Sequence, residues 1–148
     1  MSELPTSSGH RALPHTADVI LQAWAPTRRG CLREAVLALA DSFVDRTARA
    51  AAAPGVTRPV RFRIGPGENA EQLLALLGEA LFAIDALGVV PADVELRRLP
   101  SGGLDGVFTA VPADAVEVVA AVPKAVAYSD LVFVRENGLW RCRFTVDV

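Results

Sequence analysis

Two aspartates and the end of the sequence are the features best suited to chemistry. Asp18 closes the HTAD segment at the start of a predicted strand, and Asp147 stands next to Val148 at the end of the sequence, which offers two carboxylates within one residue. Oxygen ligands suit hard cations such as Ca²⁺, Mg²⁺ and Mn²⁺. If the three acidic groups met in space, their repulsion would raise at least one pKa or demand a cation. The residues alone leave open that Asp18 caps a turn and Asp147 lies on a solvated strand face.

Three further residues could support such a site or face a partner protein. His15 begins the HTAD segment, although a histidine there could equally bond to nearby backbone in a turn. Lys124 and Tyr128 begin a predicted strand, where a surface lysine and a half-buried tyrosine are also ordinary. We predict no catalytic residue, because the sequence contains no GxxxxGKS/T, GxGxxG, HExxH, GxSxG or CxxC motif.

The composition limits the class of protein. With 148 residues, 51% of them hydrophobic and 22% charged, the chain suits one domain with a packed core. A formal net charge of -2 argues against strong direct binding to RNA, because phosphate contacts favour a basic surface. Cys31 and Cys142 fit no zinc or CxxC spacing, which indicates a reducing compartment. No secretory signal or long apolar run is found, so we expect a soluble cytoplasmic protein without membrane contact.

Hydrophobic periodicity predicts an α+β fold. Residues 1–13 lack a periodic apolar pattern and are predicted to form a flexible N-terminal tail, with one domain over 14–148. Spacings typical of helices and alternation typical of strands predict strand 17–25, helix 31–45, strand 60–64, helix 69–87, a strand from Val94, and strands 104–111, 125–134 and 139–148. Hairpin turns dominate the connections. We therefore expect a two-layer domain, with a mixed, mainly antiparallel sheet and two helices on one face.

The ordered motifs resemble the archease family. They are HTADV, LLALLGEALFAID in the second predicted helix, KAVAYSDLVFV, and the ending W-x-C-x-F-x-VDV, and together they extend over most of the chain from His15 onwards. The resemblance implies a single-domain α+β protein that binds a metal at Asp18, Asp147 and the backbone carboxylate of Val148, with Ca²⁺ favoured and Mn²⁺ or Mg²⁺ as alternatives. Two positions depart from the family pattern KAVTYHDL: Ala127 stands for threonine and Ser129 for histidine.

The same resemblance implies a partner and a function. Archeases activate the 3′-phosphate RNA-splicing ligase, promoting its guanylylation and multiple turnover in tRNA splicing or RNA repair, so contact with RNA would be indirect. The chain would then be a protein cofactor and not an enzyme. Two alternatives remain. One is a metal-independent, chaperone-like interaction module that uses arginines such as Arg61 and Arg63. The other is a small metal-dependent phosphoesterase.

Overall fold

The computed structural model describes residues 7–13, 18–45 and 55–148. Within these residues the chain forms eight strands, two α-helices and a short 3-10 helix at Ala113–Ala115. The strands are β1 Gly9–Leu13, β2 Asp18–Ala25, β3 Arg58–Ile64, β4 Val89–Arg98, β5 Leu104–Pro112, β6 Ala125–Val126, β7 Val132–Glu136 and β8 Leu139–Asp147. The helices are α1 Arg28–Asp41 and α2 Asn69–Ala86.

β8 organises a five-stranded antiparallel sheet. One edge of β8 pairs with the whole length of β2, and β2 pairs in turn with β1. The other edge pairs with β6 near the end of the sequence and with β7 nearer the hairpin. Asn137 and Gly138 form that hairpin turn with φ values of 53° and 76°, the left-handed region that asparagine and glycine tolerate. The last residues of β8 therefore lie between strands on both sides.

A second antiparallel sheet has the order β3-β5-β4. Its inner face supplies Phe108, which is fully buried, while the outer face carries Arg61, Arg63 and Asp105. Asp105 accepts hydrogen bonds from Arg63 and Arg97 at 3.0 and 2.9 Å, and these neighbours lower the pKa of its carboxyl group. The outer face is thus a solvated, largely ion-paired surface.

The two helices contact both sheets. Nearly every residue of α1 from Cys31 to Ala40 is buried, as expected for a helix covered on more than one side. α1 begins where the Thr27 hydroxyl accepts a hydrogen bond from the Gly30 amide at 3.0 Å, and α2 begins with a capping box between Glu68 and Glu71. The core between helices and sheets holds Phe43, Leu77 and Phe144, all at most 2% exposed.

The structure confirms the α+β class and revises its details. The predicted sheet is divided into two, and the helices touch both sheets instead of one face of a single sheet. The prediction of a flexible tail through residue 13 is wrong for Gly9–Leu13, which form β1 on the edge of the five-stranded sheet. The strand predicted over 125–134 is interrupted at 127–131. Among the described residues, no helix is long and apolar enough to cross a membrane.

Candidate metal site at the end of the five-stranded sheet

Asp18 and Asp147 lie directly opposite each other. They are the first residue of β2 and the last residue of β8, and the antiparallel register pairs their Cα atoms. Residues paired in this way point their side chains to the same face of a sheet, with Cβ atoms about 4.5 to 5.5 Å apart. Two acids that are far apart in sequence are therefore brought together by the β2–β8 ladder.

The acidic pair sits on the outer face of the sheet. On β8 the buried residues Cys142, Phe144 and Val146 alternate with residues that point away from the core, and Asp147 belongs to the second set. Asp147 is exposed and Asp18 is half-buried. A cation bound by these carboxylates could reach solvent or a partner protein while the strand beneath stays anchored in the core.

Lys124 touches the same strand end through its backbone. Its amide donates a hydrogen bond to the Asp147 carbonyl oxygen at 2.8 Å, just before β6 pairs Ala125 with Asp147. The Lys124 side chain is exposed, and Val148 is half-buried against the core. The backbone of Asp147 is therefore fixed by β2 on one side and by β6 on the other.

The interruption between β6 and β7 places another carboxylate, that of Asp130, beside Thr145 of β8. The hydroxyl of Thr145 donates a hydrogen bond to the Asp130 carboxylate. The Ala127 amide donates a hydrogen bond to the Thr145 carbonyl oxygen at 2.9 Å. Thr145 lies two residues before Asp147 and so shares its face of the sheet. Tyr128 lies in this segment, residues 127–131, and is 58% exposed. Sequence reasoning missed Asp130, because only the break in the strand directs it toward β8.

The donor set fits a hard cation but is incomplete. Among residues 7–13, 18–45 and 55–148, neither Asp18 nor Asp147 has an ion pair with a basic side chain, and no group of three acidic, histidine or cysteine side chains is arranged to hold a metal ion. Two facing carboxylates without a positive partner repel each other. Oxygen donors of this kind suit Ca²⁺, Mn²⁺ or Mg²⁺, with further ligands to come from elsewhere. His15 lies outside the described residues.

A part-buried ion-pair cluster fixes β1, the strand that precedes Asp18 in the chain. His10 of β1 places Nδ1 2.7 Å from Glu34 Oε1 and Nε2 2.7 Å from Asp41 Oδ2, both on α1. The hydrogen bond to Asp41, which has the larger effect, and the one to Glu34 raise the pKa of His10 to about 9, against the opposing effect of burial. Because carboxylates only accept, both ring nitrogens must donate, which requires the charged imidazolium. β1 is thereby held against α1.

Two surface grooves lie near the features described so far. One, of about 500 Å³, runs between α2 and the segment before β6 and is lined by Phe82, Val122 and Lys124 among others. Phe82 is 57% exposed, which is unusual for so large an apolar side chain. The other, of about 740 Å³, lies on the three-stranded sheet beside Arg61, Arg63 and Arg97. Lys124 thus lines the first groove, and its amide bonds to the Asp147 carbonyl.

Comparison with known proteins decides the family. Residues 10–148 match the model of the Archease protein family (MTH1598/TM1083). The chain belongs to the archease family. Two relatives, each described as probable protein archease, come from Mycobacterium tuberculosis strains CDC 1551 / Oshkosh and ATCC 25618 / H37Rv. Each is 42% identical over 143 residues, covering 97% of this chain and 76% of the relative.

Solved structures show the same archease fold. The solution structure of Methanobacterium thermoautotrophicum protein 1598 aligns with a TM-score of 0.67 at 22% identity, covering 95% of this chain and 99% of that one. The crystal structure of an archease from Thermotoga maritima, described as a possible chaperone, aligns with a TM-score of 0.63 at 17% identity, covering 93% and 96%. At these identities the likeness concerns the fold alone.

Proposed function

We propose that this archease-family chain is a metal-binding accessory protein that activates a 3′-phosphate RNA-splicing ligase. It would promote guanylylation and multiple turnover of the ligase in tRNA splicing or RNA repair, in the cytoplasm, without catalysing a reaction itself. The observation that carries the proposal is the direct opposition of Asp18 and Asp147 across the β2–β8 ladder. Membership of the archease family supports the same function.

The proposed metal shell is built from the strand ends. Asp18 and Asp147 supply side-chain oxygens, the backbone carboxylate of Val148 supplies a third ligand, and Ca²⁺ is the favoured ion. Asp130, which accepts a hydrogen bond from Thr145 on the same face of the sheet, adds negative charge on the β6 side. When bound beside a nucleotide, such an ion would offset charge on a phosphate undergoing transfer. Ca²⁺ takes six to eight oxygens, so water or the ligase must complete the shell.

The first test measures metal binding by the chain alone. Calorimetric titration with Ca²⁺, Mn²⁺ and Mg²⁺ should show saturable binding that weakens at least about tenfold in Asp18→Asn and in Asp147→Asn, because half of the side-chain charge is lost. Asp114→Asn, which removes an exposed acid outside the site, is the matched control and should bind normally. A version with extra residues after Val148 should also lose affinity. Equal affinity in all variants would rule out this site.

The second test measures activation of the ligase. Wild-type chain and Asp114→Asn should raise the rate of ligase guanylylation and the number of turnovers, whereas Asp18→Asn and Asp147→Asn should not. His15, Lys124 and Tyr128 are proposed as partner-facing or supporting residues, so alanine variants should weaken stimulation while metal affinity of the Lys124 and Tyr128 variants stays normal. Full stimulation by both aspartate variants would refute the metal-dependent function.

A metal-independent, chaperone-like role is the second candidate. The exposed outer face of the three-stranded sheet favours it, because Arg61 lies there beside the 740 Å³ groove. The Thermotoga maritima relative is described as a possible chaperone. This role predicts that Arg61→Glu with Arg63→Glu weakens partner binding and that a chelator has no effect. Loss of binding on adding a chelator would decide for the metal-dependent role.

A phosphoesterase is the third candidate and is tested most simply. Facing carboxylates are common ligands in metal-dependent hydrolysis of phosphate esters. That activity predicts turnover of nucleotide or RNA phosphate esters with Mn²⁺ or Mg²⁺ by the chain alone, abolished in Asp147→Asn. No turnover by the wild-type chain under metal-saturating conditions would eliminate it.

A further inference from the structure

The two cysteines of the sequence meet in the core. Cys31 lies in the first turn of α1 and Cys142 in the middle of β8, and they are 0% and 2% exposed. The Cys31 thiol donates to the Ala23 carbonyl oxygen at 3.6 Å, and Ala23 is the residue opposite Cys142 in the β2–β8 register. The Cys31 thiol therefore lies beside that of Cys142, near enough to raise its pKa. Their spacing in the sequence fits no zinc or CxxC motif, so only the fold brings them together.

This environment makes the first oxidation slow and the second step fast. The neighbouring Cys31 thiol, and to a lesser extent burial, raise the pKa of the Cys142 thiol well above its usual range, which keeps the reactive thiolate scarce. Once either sulfur has been oxidised, however, α1 and β8 hold the other sulfur beside it, because the Cys31 thiol bonds to Ala23 and Ala23 pairs with Cys142. An intramolecular reaction between groups held in contact outcompetes reaction with a second oxidant molecule.

We propose that Cys31 and Cys142 form a modification site, a buried dithiol that hydrogen peroxide converts to a reversible disulfide. In the first step one thiolate sulfur attacks a peroxide oxygen: an S–O bond forms, the O–O bond breaks, and the departing hydroxide takes up the thiol proton as water. In the second step the other sulfur attacks the sulfenic sulfur: an S–S bond forms, the S–O bond breaks, and a second water leaves. Two thiols and one peroxide thus give one disulfide and two waters.

The small size of the oxidant matters. Both sulfurs are enclosed by core residues, so a bulky disulfide reagent would have to open the space between α1 and β8, whereas peroxide needs only a brief local opening. The resulting bond would join α1 directly to β8, the strand that carries Asp147 five residues further on. A thiol reductant would reverse the change, because a disulfide is a reducible state whereas sulfinic acid is not.

Intact mass and peptide mapping test the inference on the full-length folded chain. After peroxide treatment and alkylation under denaturing conditions, the wild-type chain should have lost two hydrogen masses, carry no alkyl group, and yield a cross-linked peptide containing Cys31 and Cys142. Dithiothreitol should restore two alkylatable thiols. Cys31→Ser and Cys142→Ser should instead gain oxygen on the remaining sulfur, trapped as a sulfenic acid adduct or found as sulfinic acid.

Three outcomes would overturn the inference. The first is oxygen gain on either cysteine of the wild-type chain without the cross-link. The second is a disulfide between two chains. The third is survival of both thiols under peroxide that fully oxidises a small free thiol in the same solution. The wild-type result decides alone, so a serine variant that fails to fold does not affect the test, and the result is independent of the metal-dependent function proposed above.

Discussion

The contact of His10 with α1 should make the stability of the protein depend on pH. Its imidazolium joins β1 to Glu34 and Asp41 of α1 through two hydrogen bonds of 2.7 Å. Arg33 lies 3.6 Å from Glu34 and also forms an ion pair with Asp93 of β4. The change we consider is His10→Gln, which keeps a polar side chain that can donate a hydrogen bond but removes the charge. We expect β1 to loosen from α1, since an edge strand has only one neighbour in its sheet.

The magnitude follows from the pKa of His10. The difference between the ordinary value of 6.5 and the folded value of about 9 corresponds to an upper bound of about 3.4 kcal/mol, because one pKa unit is about 1.36 kcal/mol. The side chain lies at the sheet edge, and solvent screening reduces the expected effect to about 2 kcal/mol. Because the folded-state pKa is raised, this stabilisation is fully present below pH 6.5 and is lost as pH rises through about 9.

Urea unfolding at pH 6, 7.5 and 9.5 measures the effect. His10→Gln should lower the free energy of unfolding most at pH 6, and the difference from wild type should shrink by about 2 kcal/mol at pH 9.5. With a urea m-value of about 2 kcal/mol/M, that shrinkage is a midpoint change of about 1 M. Other titrating groups cancel in the comparison. Arg11→Gln is the matched control on the opposite face of β1, and its effect should not vary over this range. A difference between His10→Gln and wild type that is equal at all three pH values would refute the reasoning.

Three further predictions concern single residues. Gly78→Ala should raise the free energy of unfolding by about 0.5 to 1 kcal/mol, because Gly78 lies inside α2 with open space where a Cβ would be. Gly103→Ala should lower it by about 2 kcal/mol, because the new Cβ would lie 2.6 Å from a backbone oxygen. Urea unfolding of both variants checks the two values. Asp18→Asn should stabilise the metal-free chain by about 0.5 kcal/mol and abolish the rise in Tm caused by added Ca²⁺, measured by calorimetry. Gln72→Met should cost about 2 to 4 kcal/mol in thermal unfolding, because the buried amide donates at 2.9 Å to two backbone carbonyls and accepts from Arg28 at 2.7 Å.

The local patterns of the sequence predicted most elements for a simple reason. In β8, apolar and polar residues alternate so regularly that the faces of Phe144 and Asp147 follow directly, and burial agrees with both. The helical stripe from Leu32 to Phe43 likewise predicted α1, although the helix begins earlier, at Arg28, because Thr27 caps it. Elements whose own residues divide into core and solvent faces can be predicted in this way.

The elements that were missed depend on distant partners. β1 has the sequence GHRAL, with no apolar alternation, and it is ordered by pairing with β2 and by the ion pairs between His10 and α1. The sequence shows His10, Glu34 and Asp41 separately, but their meeting requires the tertiary fold. The meeting of Cys31 with Cys142 was missed for the same reason. Asp130 was overlooked because the strand predicted through it breaks at 127–131.

The acidic pair sits where the fold can tolerate it. Two like charges facing each other across a ladder cost of order 0.5 kcal/mol, whereas burying the side chain of Phe144, three residues earlier on β8, contributes about 2 to 3 kcal/mol. The end of β8 is also held by the hydrogen bond from the Lys124 amide to the Asp147 carbonyl oxygen at 2.8 Å. The strand therefore keeps two aspartates opposed, and no basic side chain of residues 7–13, 18–45 or 55–148 forms an ion pair with either. A bound cation would turn this local repulsion into attraction, so ion binding and folding at this strand end should stabilise each other.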